Sequence, residues 1–280
     1  MNKIKYLLII MLFVFIGCSS EKTQVKIAII GDSISAGCNP DISEYKENYE
    51  KRYGWVDMLN GSKYSGVSHS IKPITTIYKN SIIANYSIIG SKASEWSNDY
   101  SENSSWKEWD NEFKKVVNFN PDIVIIYLGG NDFLEYLEDG VITELEWKEL
   151  ENSLRDIITK LKLNNENTKI YLLGYYDLFD TVSSGLKSLS NFAIYQDFSK
   201  YTIEGNNIIK KISIDENVIY LDVYDEFMGH CYGRYLGGED KKTPMYFKSS
   251  ILNFDIHPVT DGHEKIAEIV YNGLISNKDK

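Results

Sequence analysis

Short apolar runs alternate along this chain with longer segments whose apolar residues recur at helical spacing. Val25–Ile30, Ile82–Ile89, Asp122–Leu128, Lys169–Gly174 and Asn217–Asp222 are runs of the first kind, rich in Ile, Val, Leu and Tyr. Such runs lack polar alternation, as expected of strands buried on both faces. Between them, Tyr53–Leu59, Trp106–Val117, Glu146–Leu163 and Gln196–Ile212 are spaced as amphipathic helices. A last helix is predicted from about Thr260 to Ile275, with Thr260 or Asp261 as N-cap. The alternation predicts an α/β fold, a parallel sheet covered by helices on both faces. Ligands of such sheets bind beyond the carboxyl ends of the strands, so the chemistry is sought there.

At 280 residues, with 43% hydrophobic and 25% charged, the chain suits one folded globular domain. Its formal net charge of −10 argues against a nucleic-acid partner, which would need clustered Lys and Arg. The pairs Lys114-Lys115, Lys210-Lys211 and Lys241-Lys242 read instead as solvated helix or loop faces.

The first residues follow another logic. Lys3 and Lys5 precede an apolar run from Tyr6 to Ile16, too short to span a bilayer and shaped like the core of a signal peptide. Gly17 directly before Cys18 resembles the lipobox of bacterial lipoproteins, although Phe15 and Ile16 replace its usual Leu and small residue. The resemblance implies a signal peptide at 1–17, acylation of Cys18, a tether at 18–24 and a domain at 25–280. It places the protein outside the cytoplasm, touching membrane through that lipid only. In an oxidising compartment, Cys38 and Cys231 could form a disulfide or remain two unrelated thiols; sequence leaves both open.

Four segments carry candidate chemistry. The first strand runs into Gly31-Asp32-Ser33, where small neighbours would expose a serine hydroxyl at the rim of the sheet; alone, the tripeptide could equally cap a helix. The Asp122–Leu128 run delivers Gly129-Gly130-Asn131-Asp132. There the glycines permit close backbone approach, and Asn131 offers a neutral donor for an oxyanion. A Gly-Gly turn with Asn131 left-handed is the plainer alternative. Gly90, past another run, could offer its backbone N–H to the same oxyanion. Of four histidines, His257 in Asp255-Ile256-His257-Pro258 is held out of a helix interior by Pro258 and suits a general base. His263 falls in the first turn of the last helix, a poor place for an imidazolium. His69 and His230 have no supporting pattern.

Together, Gly31-Asp32-Ser33, Gly90, Gly130-Asn131-Asp132 and His257-Pro258 resemble the four blocks of SGNH (GDSL-type) hydrolases, in order and across most of the chain. The resemblance implies a three-layer α/β/α sandwich with a parallel, flavodoxin-like sheet. It also implies roles: Ser33 as nucleophile, His257 as base, and the N–H groups of Ser33 and Gly90 with the Asn131 amide as oxyanion hole. The family usually places its acid three residues before the histidine, where Phe254 stands; Asp255 lies two before and could still reach the ring. A main-chain carbonyl orienting a Ser–His dyad is the alternative.

The expected activity is metal-free and cofactor-free hydrolysis of a small-molecule or glycan ester, acetyl or short acyl groups on envelope or imported carbohydrate foremost. O-acetyl transfer at the same site, or carbohydrate binding without turnover, are the competing readings. Trp96, Trp106 and Trp109 could form a sugar platform, with core packing the simpler expectation. The Phe227–Asn253 stretch is expected to wall the site beside His257, and Cys38–Tyr53 the opposite side.

Overall fold

The five apolar runs become five strands, and all of them are parallel. In the computed structural model β1 is Lys26–Gly31, β2 Ile82–Asn85, β3 Ile123–Tyr127, β4 Lys169–Leu173 and β5 Ile219–Leu221, ordered β2-β1-β3-β4-β5. The structure describes residues 24–42, 52–97, 107–136, 141–178, 193–231, 242, 244–248 and 255–279, with backbone only for 107 and 193–198. The expected signal peptide, Cys18 and nearly all of the tether lie outside the described residues, as do Trp106 and much of the two expected walls (43–51, 232–241, 243 and 249–253).

The helices are α1 (Trp55–Asn60), α2 (Ala93–Ser97), α3 (Lys107–Phe119), α4 (Gly130–Tyr136), α5 (Glu144–Asn164), α6 (Ala193–Asp215), α7 (Tyr224–Phe227) and α8 (Thr260–Ser276). Helix α1 packs on α8, which reaches β5, while α5 packs on α2 and α6; helices thus cover both faces of the sheet. Central β3 is buried along its whole length because both faces carry helices, and Ile123, Val124, Ile125 and Ile126 anchor the core there.

Several expectations need correction. The β2 run is not buried on both faces: Ile82 and Asn85 are exposed because β2 is the edge strand. Its regular span stops at Asn85, although the Tyr86 and Ile88 N–H groups still bond to the Ile29 and Gly31 carbonyls of β1. The short helices α2 and α4 were not expected. Gly129 (φ +106°) turns the chain out of β3, and Asn131 lies in the first turn of α4 rather than in a left-handed turn. The N-cap of α8 is Val259, not Thr260 or Asp261. Thr260 is already helical, and its N–H donates to the Asp41 carboxylate at 2.9 Å. A cap supplied from 219 residues away replaces the local one.

Candidate active site

With strand order 2-1-3-4-5, connections leave β1 and β3 to opposite sides, which opens a crevice beyond their carboxyl ends. Ser33 follows β1 into that crevice and Asn131 follows β3. Gly31 is needed at the turn: a Cβ there would come within 2.4 Å of the Ser35 hydroxyl. Beyond it the chain coils tightly, with the Cys38 N–H donating to the Ser33 carbonyl and the Ile34 N–H to the Asp32 carboxylate. Ser33 is nearly buried and held by backbone on both sides.

His257 arrives from the loop before α8, 224 residues away, with Nε2 at 2.9 Å from the Ser33 Oγ. Its Nδ1 lies 2.6 Å from Asp255 Oδ1, and the same oxygen accepts the His257 backbone N–H at 3.1 Å. An ionised carboxylate can only accept, so Nδ1 carries the proton and Nε2 is left to receive one from Ser33. Ring and carboxylate are mostly shielded, with 19% and 11% of their side-chain surface exposed. The loop is pinned at Ile256, whose carbonyl accepts the buried Tyr176 hydroxyl at 2.6 Å; the Tyr176 ring stacks on Phe227 at 5.0 Å.

Asn131 donates its side-chain amide to the Ser91 carbonyl at 2.9 Å, which ties the end of β3 to the turn containing Gly90. Gly90 is left-handed (φ +75°), with open space where a side chain would stand. Asp132 is fully buried and accepts the Ala93 and Ser94 N–H groups, fixing the start of α2.

Set in order, the serine, imidazole and carboxylate form a relay at one rim of a doubly covered parallel sheet. A family model described as GDSL-like Lipase/Acylhydrolase matches residues 27–270. The chain belongs to that family. The GDSL-like acylhydrolase class carries with it the general activity, ester hydrolysis by a serine esterase. Solved structures share the fold at low identity. An acetyl xylan esterase from Geobacillus stearothermophilus aligns at TM-score 0.56 and 16% identity, over 89% of this chain and 94% of that one. Another acetyl xylan esterase, AlAXEase, aligns at 0.55 and 16%, over 90% and 100%. A putative GDSL-like lipase from Parabacteroides merdae aligns at 0.52 and 18%, over 89% and 94%. No curated protein matches the sequence.

Other candidates in this acylhydrolase resolve as structural groups. His263 is buried in the first turn of α8, where Nδ1 accepts the Trp55 N–H and Nε2 donates to the Cys38 carbonyl at 2.9 Å. Burial drives its pKa down to about 4, so it stands neutral, as its helix position implied. His69 pairs with the Tyr53 hydroxyl and His230 with the Pro244 carbonyl. Cys38 and Cys231 do not bridge; both are buried, and the Cys231 thiol faces the Phe227 carbonyl. Trp96 is 2% exposed and packs in the core, which removes it from any sugar platform.

One group was missed by sequence reasoning. Asp32 lies buried beneath the relay, and burial pushes its carboxyl up to about 6, against the lowering effect of the Ile34 N–H it accepts. Its folded value stands above the unfolded value of about 3.9, so the native state holds the proton more tightly. The contribution to stability is therefore full at low pH and lost as pH rises from about 4 to about 6. Asp32→Asn removes that titration and keeps an acceptor for Ile34. Urea unfolding at pH 4 and 7.5 should show the variant gaining on the order of 2 kcal/mol on the wild type at the higher pH. An equal difference at both pH values would count against a buried, titrating carboxyl.

Proposed function

We propose that Ser33, His257 and Asp255 perform the hydrolysis through an acyl-enzyme. His257 Nε2 takes the Ser33 hydroxyl proton as Oγ attacks the ester carbonyl, and the carbonyl electron pair moves onto its oxygen. That oxyanion is held by the Ser33 and Gly90 N–H groups and the second N–H of the Asn131 amide. Collapse of the intermediate breaks the bond to the alcohol, which leaves with the proton from His257. Water then enters, gives a proton to Nε2 and attacks the acyl carbon; Ser33 leaves with that proton and the carboxylic acid is released. Asp255 holds the ring tautomer and offsets the imidazolium charge. The 2.9 Å and 2.6 Å contacts that link Oγ through the ring to the carboxylate carry this reading.

The substrate we propose is an acetyl or short acyl ester of a carbohydrate, met at the cell envelope by an enzyme tethered through acylated Cys18. Two observations support it. Neighbours sharing the fold are described as acetyl xylan esterases. The N-terminal Lys3–Cys18 pattern suits export and lipidation. Exposing the protein to p-nitrophenyl acetate and to a serine-directed phosphonate tests the chemistry. Nitrophenol release and a phosphonyl mass on the Ser33 peptide are expected. Absence of both would favour carbohydrate binding without turnover.

A further inference from the structure

A cavity of about 60 Å³ opens directly beside Ser33, among the described residues. Most of its wall is apolar, with Phe133 and Leu134 from α4, Tyr175, Tyr176 and Leu178 from the segment after β4, and Ile256 from the His257 loop; Asp32, Tyr127, Asn131 and Thr202 also line it. Tyr175 and Tyr176 already commit their hydroxyls, to the Leu128 and Ile256 carbonyls, and so present rings rather than polar atoms. A sugar placed here would give up hydrogen bonds to water and meet mostly ring and aliphatic surface in return. An alkyl chain would gain from every methylene it removed from water. The leaving alcohol must meet the protonated His257, and as carbohydrate it needs polar surroundings. The apolar cavity therefore belongs to the other side of the ester, the acyl group.

Size sets the length. Each water-sized occupant takes roughly 10–15 Å³ of such space, so the cavity holds about four to six non-hydrogen atoms. An acetyl group places one carbon beyond the carbonyl and would leave most of it unfilled. The geometry points to an acyl group of four to six carbons as the preferred substrate, with Leu134 and Leu178 setting the limit of chain length. This rests on the hydrolase reading above and narrows it.

A series of p-nitrophenyl esters keeps the leaving group constant and varies only the acyl chain. Each buried methylene raises kcat/KM by about fourfold, so butanoate or hexanoate should exceed acetate by at least about tenfold. Dodecanoate, too long for the cavity, should fall below both. Leu134→Trp should lower the hexanoate-to-acetate ratio about tenfold, and Leu178→Ala should move the optimum to longer chains. Ratios within one protein are unaffected by the fraction that folds. Acetate as the best substrate, a steady rise through dodecanoate, or ratios unchanged in both variants would overturn the acyl assignment and leave the esterase standing. Hydrolysis of no ester at all would overturn the hydrolase reading itself.

Discussion

Ser33→Ala and His257→Ala are each expected to lower kcat on p-nitrophenyl esters by about 10⁴- to 10⁶-fold, and the double variant should be no worse than the poorer single one. The reason is that hydroxyl and imidazole act as one unit across a 2.9 Å contact: without the base the hydroxyl keeps its proton, and without the hydroxyl the base has nothing to activate. Residual turnover would come from the oxyanion donors acting on attacking water. Neither change should unfold the protein, since His257 lies in a loop rather than in the core, and Ser33→Ala removes one atom. Steady-state kinetics beside urea midpoints checks both halves. Losses that multiply in the double variant would mean that the two residues act independently, contrary to a shared proton.

What the sequence disclosed follows from how far along the chain each signal reaches. Strands β1, β3 and β4 declare themselves because a strand covered on both faces is apolar at every position. Ser33 and Asn131 were legible because the turns that bear them follow those strands directly. The reading of His263 as neutral was also legible, since a helix start disfavours an imidazolium and burial acts in the same direction. The edge position of β2 was not legible, since strand order is a property of the whole sheet.

Helix starts were read less closely than strands, and three of them draw on remote partners. Asp132 caps α2, Asp41 caps α8 and His263 Nδ1 accepts the first N–H of α1, over separations of 39, 219 and 208 residues. Capping rules look three residues ahead, so these remote partners leave no local trace, whereas the Thr143–Glu146 box that opens α5 and the Asp57 and Glu95 carboxylates that accept the Gly54 and Lys92 N–H groups do. These same contacts position the site. Asp132 joins the Asn131 turn to the segment after Gly90, while Asp41 and His263 fasten the turn after Ser33 to the helix that follows His257. Sequence spacing could suggest that the pieces belonged together; remote capping is what brings them to one rim.

Asp255→Asn is expected to lower kcat by about 10³- to 10⁴-fold while KM changes by no more than about twofold. The carboxylate accepts both the ring Nδ1–H and the backbone N–H of His257, so it sets the tautomer and the orientation of the ring together. An asparagine can turn its amide to donate toward Nδ1. That would leave the proton on Nε2, where it blocks transfer from Ser33 and fails to stabilise the imidazolium. Substrate contacts are untouched, so the loss belongs in kcat. Phosphonylation of Ser33 should slow in parallel, because it needs the same proton transfer and no deacylation. The acid two residues before the base, rather than three, reaches the ring because Asp255 Oδ1 closes an Asx turn on the His257 N–H at 3.1 Å, which sets it beside Nδ1, while Ile256 is tied back to Tyr176. If Asp255→Asn kept near wild-type turnover while His257→Ala had none, a Ser–His dyad would be the working unit and this carboxylate only a brace for the loop.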